Sequence, residues 1–530
     1  MTCGIHIALK QSMKFIVVNL LVFSIQFVTS STYAANELPR EPKDVTMLIY
    51  YSGDNRLSDF MHSSYLRVLR EGAGKSIHVV VQFDGSKPRD SFRVSIEDSK
   101  KDMAYEQTFF QKNIEYNMGN PQTLVDFVKW GKTNFPAKRT ILVISSYGYG
   151  ILNNPFPEDD SKRLKKSISK LASSIDDSSH SFMIEEEVTA KLKKALGNEK
   201  LDLLIHNSCL MGSLESLTIL SSIAKFAITS EYSIYMNTND DLIDNEARTI
   251  LLENIIHLIK DRPSISEQEI GKKVVMDFEQ SYKNFKVPTD SQLDLRYPST
   301  MAFYDLSYMH SLAALYSDLA KEFKHKAIDQ IQILYRFYDE NLRARYVDSF
   351  GYLDIRVLYK NMLKAINPEE TTARMKSFDA LLAEVVPVKV ALFTDQPEAI
   401  AHLHVFFPSI LTQANIKPFQ KSYSEIKAVQ YYGWADFVDF FWINFEKNRD
   451  SYWLSKLKNW NAGQIVIVKP TSTSSENDED LFLQLDMMVI RLARIPGQEQ
   501  LQSYSRLLSS LNRRSESLDK QRDYVRGLIK

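Results

Sequence analysis

Residues 201–216 read LDLLIHNSCLMGSLES and join a strand-like run to a lone cysteine and a helix-like segment. The first six residues are apolar on both faces, which is typical of a parallel strand covered by helices on both sides. The chain then turns polar at Asn207 and Ser208, directly before Cys209. Parallel α/β sheets bind ligands beyond the carboxyl ends of their strands. The pattern therefore places Cys209 where such a sheet carries its functional residues.

The same alternation runs through the first half of the chain. Strands are predicted at Val45–Tyr51, Ile77–Phe83, Thr140–Ser145, Leu201–His206 and Phe226–Ser230, and helices near Leu57–Arg70, Pro121–Lys132, Ile184–Leu196 and Gly212–Ala224. This order predicts an α/β fold with a mostly parallel sheet flanked by helices. Cys209 and Tyr147, which follow neighbouring strands, are expected to meet at the carboxyl edge of that sheet.

The first 34 residues have the pattern of a secretory signal peptide. Lys10 and Lys14 precede the apolar run Phe15–Val28, which is too short to span a bilayer, and small residues follow at Thr32 and Ala34. We therefore expect a secreted or periplasmic protein, with no transmembrane segment in the mature chain.

The rest of the chain is predicted to have four parts. Residues 45–285 would form the α/β core, interrupted by a polar, lysine-rich loop at 151–182. Residues 289–458, with strand-like runs MAFYDL, VALFTD and HLHVFFP, would form a second α/β unit packed on the first. Residues 469–480 (KPTSTSSENDED) would be a polar linker, and 481–530 a tail of two amphipathic helices.

Charge and ligand spacing exclude two classes of function. Residues 1–34 contain two of the 65 basic residues and none of the 66 acidic ones, so the remainder carries a net charge of −3. This balance gives no electrostatic footprint for nucleic acid. No cofactor and no metal site are predicted, because the chain shows no regular spacing of ligands. His402 and His404 are interpreted as one face of a strand.

Only one cysteine would remain after removal of the signal peptide, because Cys3 lies within it. Cys209 therefore has no partner for an intramolecular disulfide. A lone thiol in an exported chain indicates a reactive group, an intermolecular bond or a buried small residue.

Several segments together resemble the clostripain family of cysteine peptidases, which are relatives of caspases and legumains. The most specific is LDLLIHNSCLMGSLE, which is similar to the family's catalytic-cysteine block. The others are LIYYSGDNRL (48–57), SSYGYG (145–150), ITSEYSIYMN (228–237), YVDSFGYLD (346–354) and HLHVFFP (402–408). The resemblance covers roughly residues 45–450 and implies a caspase-like fold acting on peptides or proteins.

The resemblance also implies roles for individual residues. Cys209 stands at the nucleophile position, and the N–H groups of Gly148 and Cys209 stand at the oxyanion-hole positions. The family prefers Arg or Lys at the cleavage site because of acidic residues in the pocket, one of them two positions before the cysteine. That position is the neutral Asn207 here, although Asp240, Asp241 and Asp244 could supply negative charge.

The catalytic histidine of the family is missing, and Tyr147 occupies its position between Ser146 and Gly148. A phenol with a pKa near 10 is a poor base at pH 7 and supplies no cation beside a thiolate. His206 does not replace it, because an odd offset along a strand points its side chain away from that of Cys209. His180 lies in a loop that could fold back toward the strand ends.

Three interpretations remain open. In the first, the chain is an inactive or strongly impaired peptidase homologue that binds a peptide or protein. In the second, it is an active cysteine endopeptidase that uses another base such as His180. In the third, Cys209 forms an intermolecular disulfide.

Overall fold

The computed structural model describes residues 39–97, 107–152, 170–234, 250–282, 298–342, 351–394, 396–407, 423–426, 432–448 and 452. The strands are β1 Lys43–Ser52, β2 Ile77–Asp84, β3 Ser91–Ile96, β4 Gln107–Ile114, β5 Ala137–Ser145, β6 Gly148–Leu152, β7 Lys170–Asp176, β8 Ser181–Ile184, β9 Leu201–Asn207, β10 Ala224–Thr229, β11 Ser299–Asp305, β12 Tyr352–Asp354, β13 Val388–Leu392 and β14 His404–Phe406. The α-helices are α1 Ser58–Glu71, α2 Pro121–Asn134, α3 Glu185–Leu196, α4 Leu214–Leu220, α5 Leu252–Asp261, α6 Glu267–Ser281, α7 Met309–Ala327, α8 Ile331–Leu342, α9 Ile355–Ile366, α10 Thr371–Val385 and α11 Trp434–Lys447.

Nine strands form one sheet in the order β13-β11-β10-β9-β5-β1-β2-β3-β4. The five central strands, from β10 to β2, are parallel, and the two strands at each end are antiparallel. The parallel strands end at the same edge, so the residues after β1, β2, β5 and β9 lie together. The predicted α/β fold with helices flanking a mostly parallel sheet is confirmed.

The central strands are buried because helices cover both faces of the sheet. Leu48 and Tyr50 of β1 belong to one apolar core, while Met47 and Ile49 belong to the other. This alternation follows the two-residue period of a strand. Near-continuous apolar runs are therefore needed on these strands, which explains why they were recognisable in the sequence.

The region predicted as a loop at 151–182 is different in the structure, and the prediction of an uninterrupted loop is wrong. β6, β7 and β8 form a separate three-stranded antiparallel sheet, and residues 153–169 lie outside the described residues. β7 was missed because its sequence, KLASSID, is only partly apolar. The antiparallel strands β3 and β4 were also missed, and β4 is largely exposed.

The boundary predicted near residue 289 does not separate two sheets. β11 pairs with β10, and β13 pairs with β11, so both strands extend the central sheet. The predicted helix Gly212–Ala224 is also shorter, because Ser213 caps α4 and the helix ends at Leu220. The predicted signal peptide, linker and C-terminal tail lie outside the described residues. No helix in the described ranges combines the length and apolar character that a membrane span requires.

The contact between α6 and β11 gives a test of this packing. A Cβ at Gly271 would lie 2.2 Å from the ring of Phe303, which is fully buried. We expect Gly271→Ala to lower the free energy of unfolding by about 1–3 kcal/mol, despite the better helix propensity of Ala. Urea denaturation measures the change. Adding Phe303→Leu should recover part of the loss, and full stability of Gly271→Ala alone would contradict the packing.

Candidate active site

The site forms where β5 and β9 end side by side. Ser145, the last residue of β5, pairs with Asn207, the last residue of β9. The side-chain amide Nδ2 of Asn207 donates a hydrogen bond to Ser145 Oγ at 3.0 Å. Both side chains are buried. The segments that follow, Ser146–Gly148 and Ser208–Cys209, therefore leave the sheet from adjacent positions.

Gly148 and Cys209 approach each other through their backbones. A Cβ at Gly148 would lie 2.1 Å from the carbonyl oxygen of Cys209, closer than any side chain tolerates. On the other side, the Tyr147 carbonyl accepts a hydrogen bond from the Ser174 N–H at 3.1 Å. The structure thus brings Tyr147, Gly148 and Cys209 together, and it does so only because residue 148 lacks a side chain.

The thiol of Cys209 is half-buried and packs against both apolar cores. Its Sγ accepts a hydrogen bond from the Ile234 N–H at 3.2 Å. Burial raises the pKa of the Cys209 thiol, and the N–H groups of Ile234 and of Cys209 itself only partly oppose this effect. No imidazole is among the groups that act on it in the described part of the chain. The thiol is therefore protonated at neutral pH.

Tyr147 and Tyr149 form an aromatic pair beside the thiol, with ring centroids 5.7 Å apart. Burial raises the pKa of Tyr147, Arg56 lowers it, and Cys209 and Asp177 raise it further. Burial likewise raises the pKa of Tyr149 to about 12. Both phenols are therefore neutral hydrogen-bonding groups at pH 7, and neither can remove a proton from Cys209.

The turn after Cys209 is strained and held from two sides. Leu210 has φ = 58°, an uncommon conformation for a residue with a side chain. The N–H of Gly212 donates to the Ser230 carbonyl at 2.8 Å, and the Gly212 carbonyl accepts from the His404 N–H at 3.0 Å. Strained backbone of this kind persists only where surrounding contacts impose it, and it is common at functional sites.

The other predicted candidates lie in different places. The side chain of His206 is buried, with Nε2 3.6 Å from Glu185 Oε2, and takes no part in the contacts around Cys209. His180 is exposed on the turn between β7 and β8. His402 and His404 are buried, although only His404 lies in the strand predicted to carry both. Asp240, Asp241 and Asp244 lie outside the described residues.

Three buried carboxyl groups that the sequence did not predict as a cluster lie at the same edge. Asp54 follows β1, Asp84 ends β2 and Asp176 ends β7, and one ligand oxygen from each lies within 4.8 Å of the others. The strand-end rule could have found Asp84 and Asp54. It could not have found Asp176, because β7 was interpreted as loop.

Comparison with known proteins agrees with this geometry. The family model described as the clostripain family matches residues 49–440. Two solved structures from Bacteroides thetaiotaomicron are similar in fold. A secreted C11 cysteine protease in complex with an irreversible peptide inhibitor is 15% identical, with a TM-score of 0.51, and the match covers 74% of this chain and 99% of that one. The secreted C11 cysteine protease called iotapain is 14% identical, with a TM-score of 0.51 and coverage of 75% and 99%.

A comparison with curated proteins gives no match. The fold is that of a caspase-like α/β protein. The chain belongs to the clostripain family, since the family model spans most of it. The resemblance inferred from the sequence is confirmed at the level of the family.

The contact at Gly148 gives a second test. Gly148→Ala would force the Cys209 carbonyl away, and we expect a loss of about 1–3 kcal/mol in the free energy of unfolding, in the range of overpacking. Iodoacetamide labelling of Cys209 should change at the same time. Gly197→Ala is the comparison for labelling: its added Cβ has no atom within 4 Å, so it should lose stability only through backbone strain at φ = 65° and leave the labelling of Cys209 unchanged. Identical behaviour of the two variants would refute the close approach.

Proposed function

We propose that this protein is a degenerate member of the clostripain family that binds a peptide or protein at the Cys209 edge and hydrolyses it poorly or not at all. The observation that carries the proposal is the neighbourhood of the thiol. Tyr147, at the predicted position of the family's histidine, is a half-buried neutral phenol, and burial raises the pKa of Cys209 instead of lowering it.

The chemistry of peptide cleavage explains why the groups around the Cys209 thiol decide whether the protein is active. A cysteine peptidase needs a thiolate, and a neighbouring imidazole both takes the thiol proton and later protonates the leaving amine. Tyr147 can do neither at neutral pH, although its hydroxyl group can hydrogen-bond a ligand. The N–H groups of Gly148 and Cys209 would remain available for a ligand carbonyl. The site would therefore still bind a peptide although it no longer hydrolyses it efficiently.

The specificity of this site would also differ from the family's preference for Arg or Lys at the cleavage site. Asn207, at the position of an acidic pocket residue in the family, is neutral and donates its amide to Ser145. Its Oδ1 is buried and has no hydrogen-bond partner in the described part of the chain. An amide of this kind offers no charge to Arg or Lys. Any preference for a basic residue would have to come from acidic groups elsewhere, such as Asp240 or Asp241.

The second candidate function is an active cysteine endopeptidase that uses His180 as its base. One observation favours it. Burial and Asp54 raise the pKa of Asp177, Arg56 and His180 act in the opposite direction, and Asp177 in turn raises the pKa of Tyr147. His180 therefore lies on the same side of the molecule as the thiol. Its exposure in a turn argues for the first candidate.

We also propose export to the cell exterior or the periplasm, with residues 1–34 as the signal peptide. The basic residues, short apolar run and small residues of this segment support it. N-terminal sequencing of the protein from a native host tests it. Retention of residues 1–34 on the mature chain would contradict export by this route.

The missing base can be restored by substitution. Tyr147→His would place an imidazole beside Cys209, and we expect peptide hydrolysis to rise about 10²–10⁴-fold. Iodoacetamide labelling at pH 6–7 should also accelerate, because an imidazolium neighbour lowers the thiol pKa. Peptides with Arg, Lys and neutral residues at the cleavage site report specificity. Tyr147→Phe is the matched control and should accelerate neither reaction, and unchanged rates in Tyr147→His would mean that more than the base is lost.

The two candidate functions differ in their response to three other substitutions. If the site is degenerate, the unmodified protein, Cys209→Ala and His180→Ala should all show the same background rate of peptide cleavage. An endopeptidase that uses His180 would instead lose at least about 10²-fold on either substitution. His257→Ala, at an exposed histidine on α5, controls for nonspecific effects. Robust cleavage by the unmodified protein that falls at least about 10²-fold in Cys209→Ala would overturn the first candidate.

A further inference from the structure

The turn after β1 carries an arginine, Arg56, beside the aromatic pair of the Cys209 site. Leu57, the next residue, is buried in the apolar core against which Tyr147 and Cys209 also pack. The side chain of Arg56 is exposed, and its guanidinium makes no hydrogen bond or ion pair in the described part of the chain. This cation at the edge of the site is therefore free to meet a ligand.

Hydrogen bonds fix the turn relative to the aromatic pair. The side-chain amide of Asn55 donates to the Ile175 carbonyl of β7 at 3.0 Å. The Ser174 N–H, also on β7, donates to the Tyr147 carbonyl at 3.1 Å. Because β7 holds both segments, Arg56 is kept beside Tyr147.

The electrostatic influence of Arg56 agrees with this placement. Burial raises the pKa of Tyr147, and Arg56 is the next largest influence, which lowers it. Burial also raises the pKa of Tyr149, and Arg56 opposes this effect in part. Arg56 is not among the groups that act on the Cys209 thiol. Its charge therefore acts at the two tyrosines and does not activate the thiol.

The two phenols add uncharged donors to the same surface. Tyr147 and Tyr149 are half-buried, and their hydroxyl groups have no hydrogen-bond partner among the described residues. A neutral phenol donates one hydrogen bond. The surface thus presents one guanidinium and two hydroxyl groups that the described protein itself does not use.

Two neighbours limit the charge of a ligand group that fits here. Asn207 is neutral, so no carboxylate at that position attracts a basic side chain. Asp177 is exposed and acts on both tyrosines, but its carboxylate is not ion-paired with Arg56. One cation with a carboxylate nearby suits a ligand group with a single negative charge better than a phosphate group, which carries almost two.

We propose that Arg56 selects a peptide with an acidic side chain, Asp or Glu, at the Cys209 edge. A guanidinium donates hydrogen bonds in one plane and matches a carboxylate at two points. Tyr147 or Tyr149 would donate a further hydrogen bond to the same carboxylate. This inference rests on the proposed function, because it requires that the site binds a peptide. The preference is opposite in charge to the preference for Arg or Lys that the family resemblance implies.

Alkylation of Cys209 by peptide chloromethyl ketones tests the proposal at the site itself. The probes are acetyl-Ala-Ala-X chloromethyl ketones with Asp, Glu, Asn or Lys at X, and intact-mass spectrometry follows labelling against probe concentration. We expect half-maximal labelling rates with Asp or Glu at a concentration at least about 5-fold below that for Asn, as for a partly screened pair of charges. This preference should shrink as NaCl rises from about 50 mM to about 0.5 M.

Substitutions assign the preference to Arg56. Arg56→Gln should reduce the ratio between the Asn and Asp probes to about one, and Arg56→Glu should make Lys the best of the four. Asp177→Asn should increase the preference for Asp, because it removes a like charge. Arg70→Gln, at an exposed arginine in the last turn of α1, is the matched control and should keep the full preference.

Failure of this inference can be told from failure of the proposed function. Labelling that saturates with none of the probes would contradict peptide binding and overturn both. Saturable labelling with equal half-maximal concentrations for Asp and Asn, or an unchanged preference in Arg56→Gln, would overturn only the role of Arg56. The same holds if acetyl-Ala-Ala-Ala with a free carboxyl terminus protects Cys209 better than acetyl-Ala-Ala-Asp amide, since Arg56 would then bind the chain end.

Discussion

The backbone contact between Gly148 and Cys209 is the constraint on which the rest of the site depends. Parallel pairing of β5 with β9 carries two chain segments to the same sheet edge. They can then touch only because residue 148 has no side chain. The thiol of Cys209 and the aromatic pair Tyr147 and Tyr149 are positioned through this contact. Hydrogen bonds from Ser174 and Gly212 hold the two segments from outside.

Burial around this contact raises the pKa of the Cys209 thiol, whereas a nucleophilic thiol needs a lowered pKa. An active thiol needs a cationic or strongly hydrogen-bonding neighbour, because the charged form must be stabilised against loss of water. Here the neighbours of Cys209 are apolar side chains, neutral phenols and one N–H group from Ile234. The surroundings of Cys209 therefore favour the neutral thiol over the thiolate. This difference underlies the proposal of binding without efficient hydrolysis.

At the same edge of the sheet, the carboxyl groups of Asp54, Asp84 and Asp176 form a second buried cluster. Near Cys209, no cation acts on the thiol in the described part of the chain, and the three carboxyl groups lie close together. Backbone donors stabilise two of these carboxylates, and one buried oxygen of the third has no partner. The two regions are linked through β7, so one could influence the other.

The sequence by itself determined the buried parallel strands, the helices between them and the segments that meet at Cys209. These features follow from local apolar runs, because a strand covered on both faces has little choice of residue. The sequence also identified the clostripain family, while the assignment of Tyr147 to the family's histidine position stays a prediction. Only the tertiary structure decided the features that depend on distant partners: the sheet made by β6, β7 and β8, the joining of β11 and β13 to the central sheet, and the meeting of Asp176 with Asp54 and Asp84. Edge strands and carboxylate clusters have no local pattern, since their stability comes from neighbours far away in the chain.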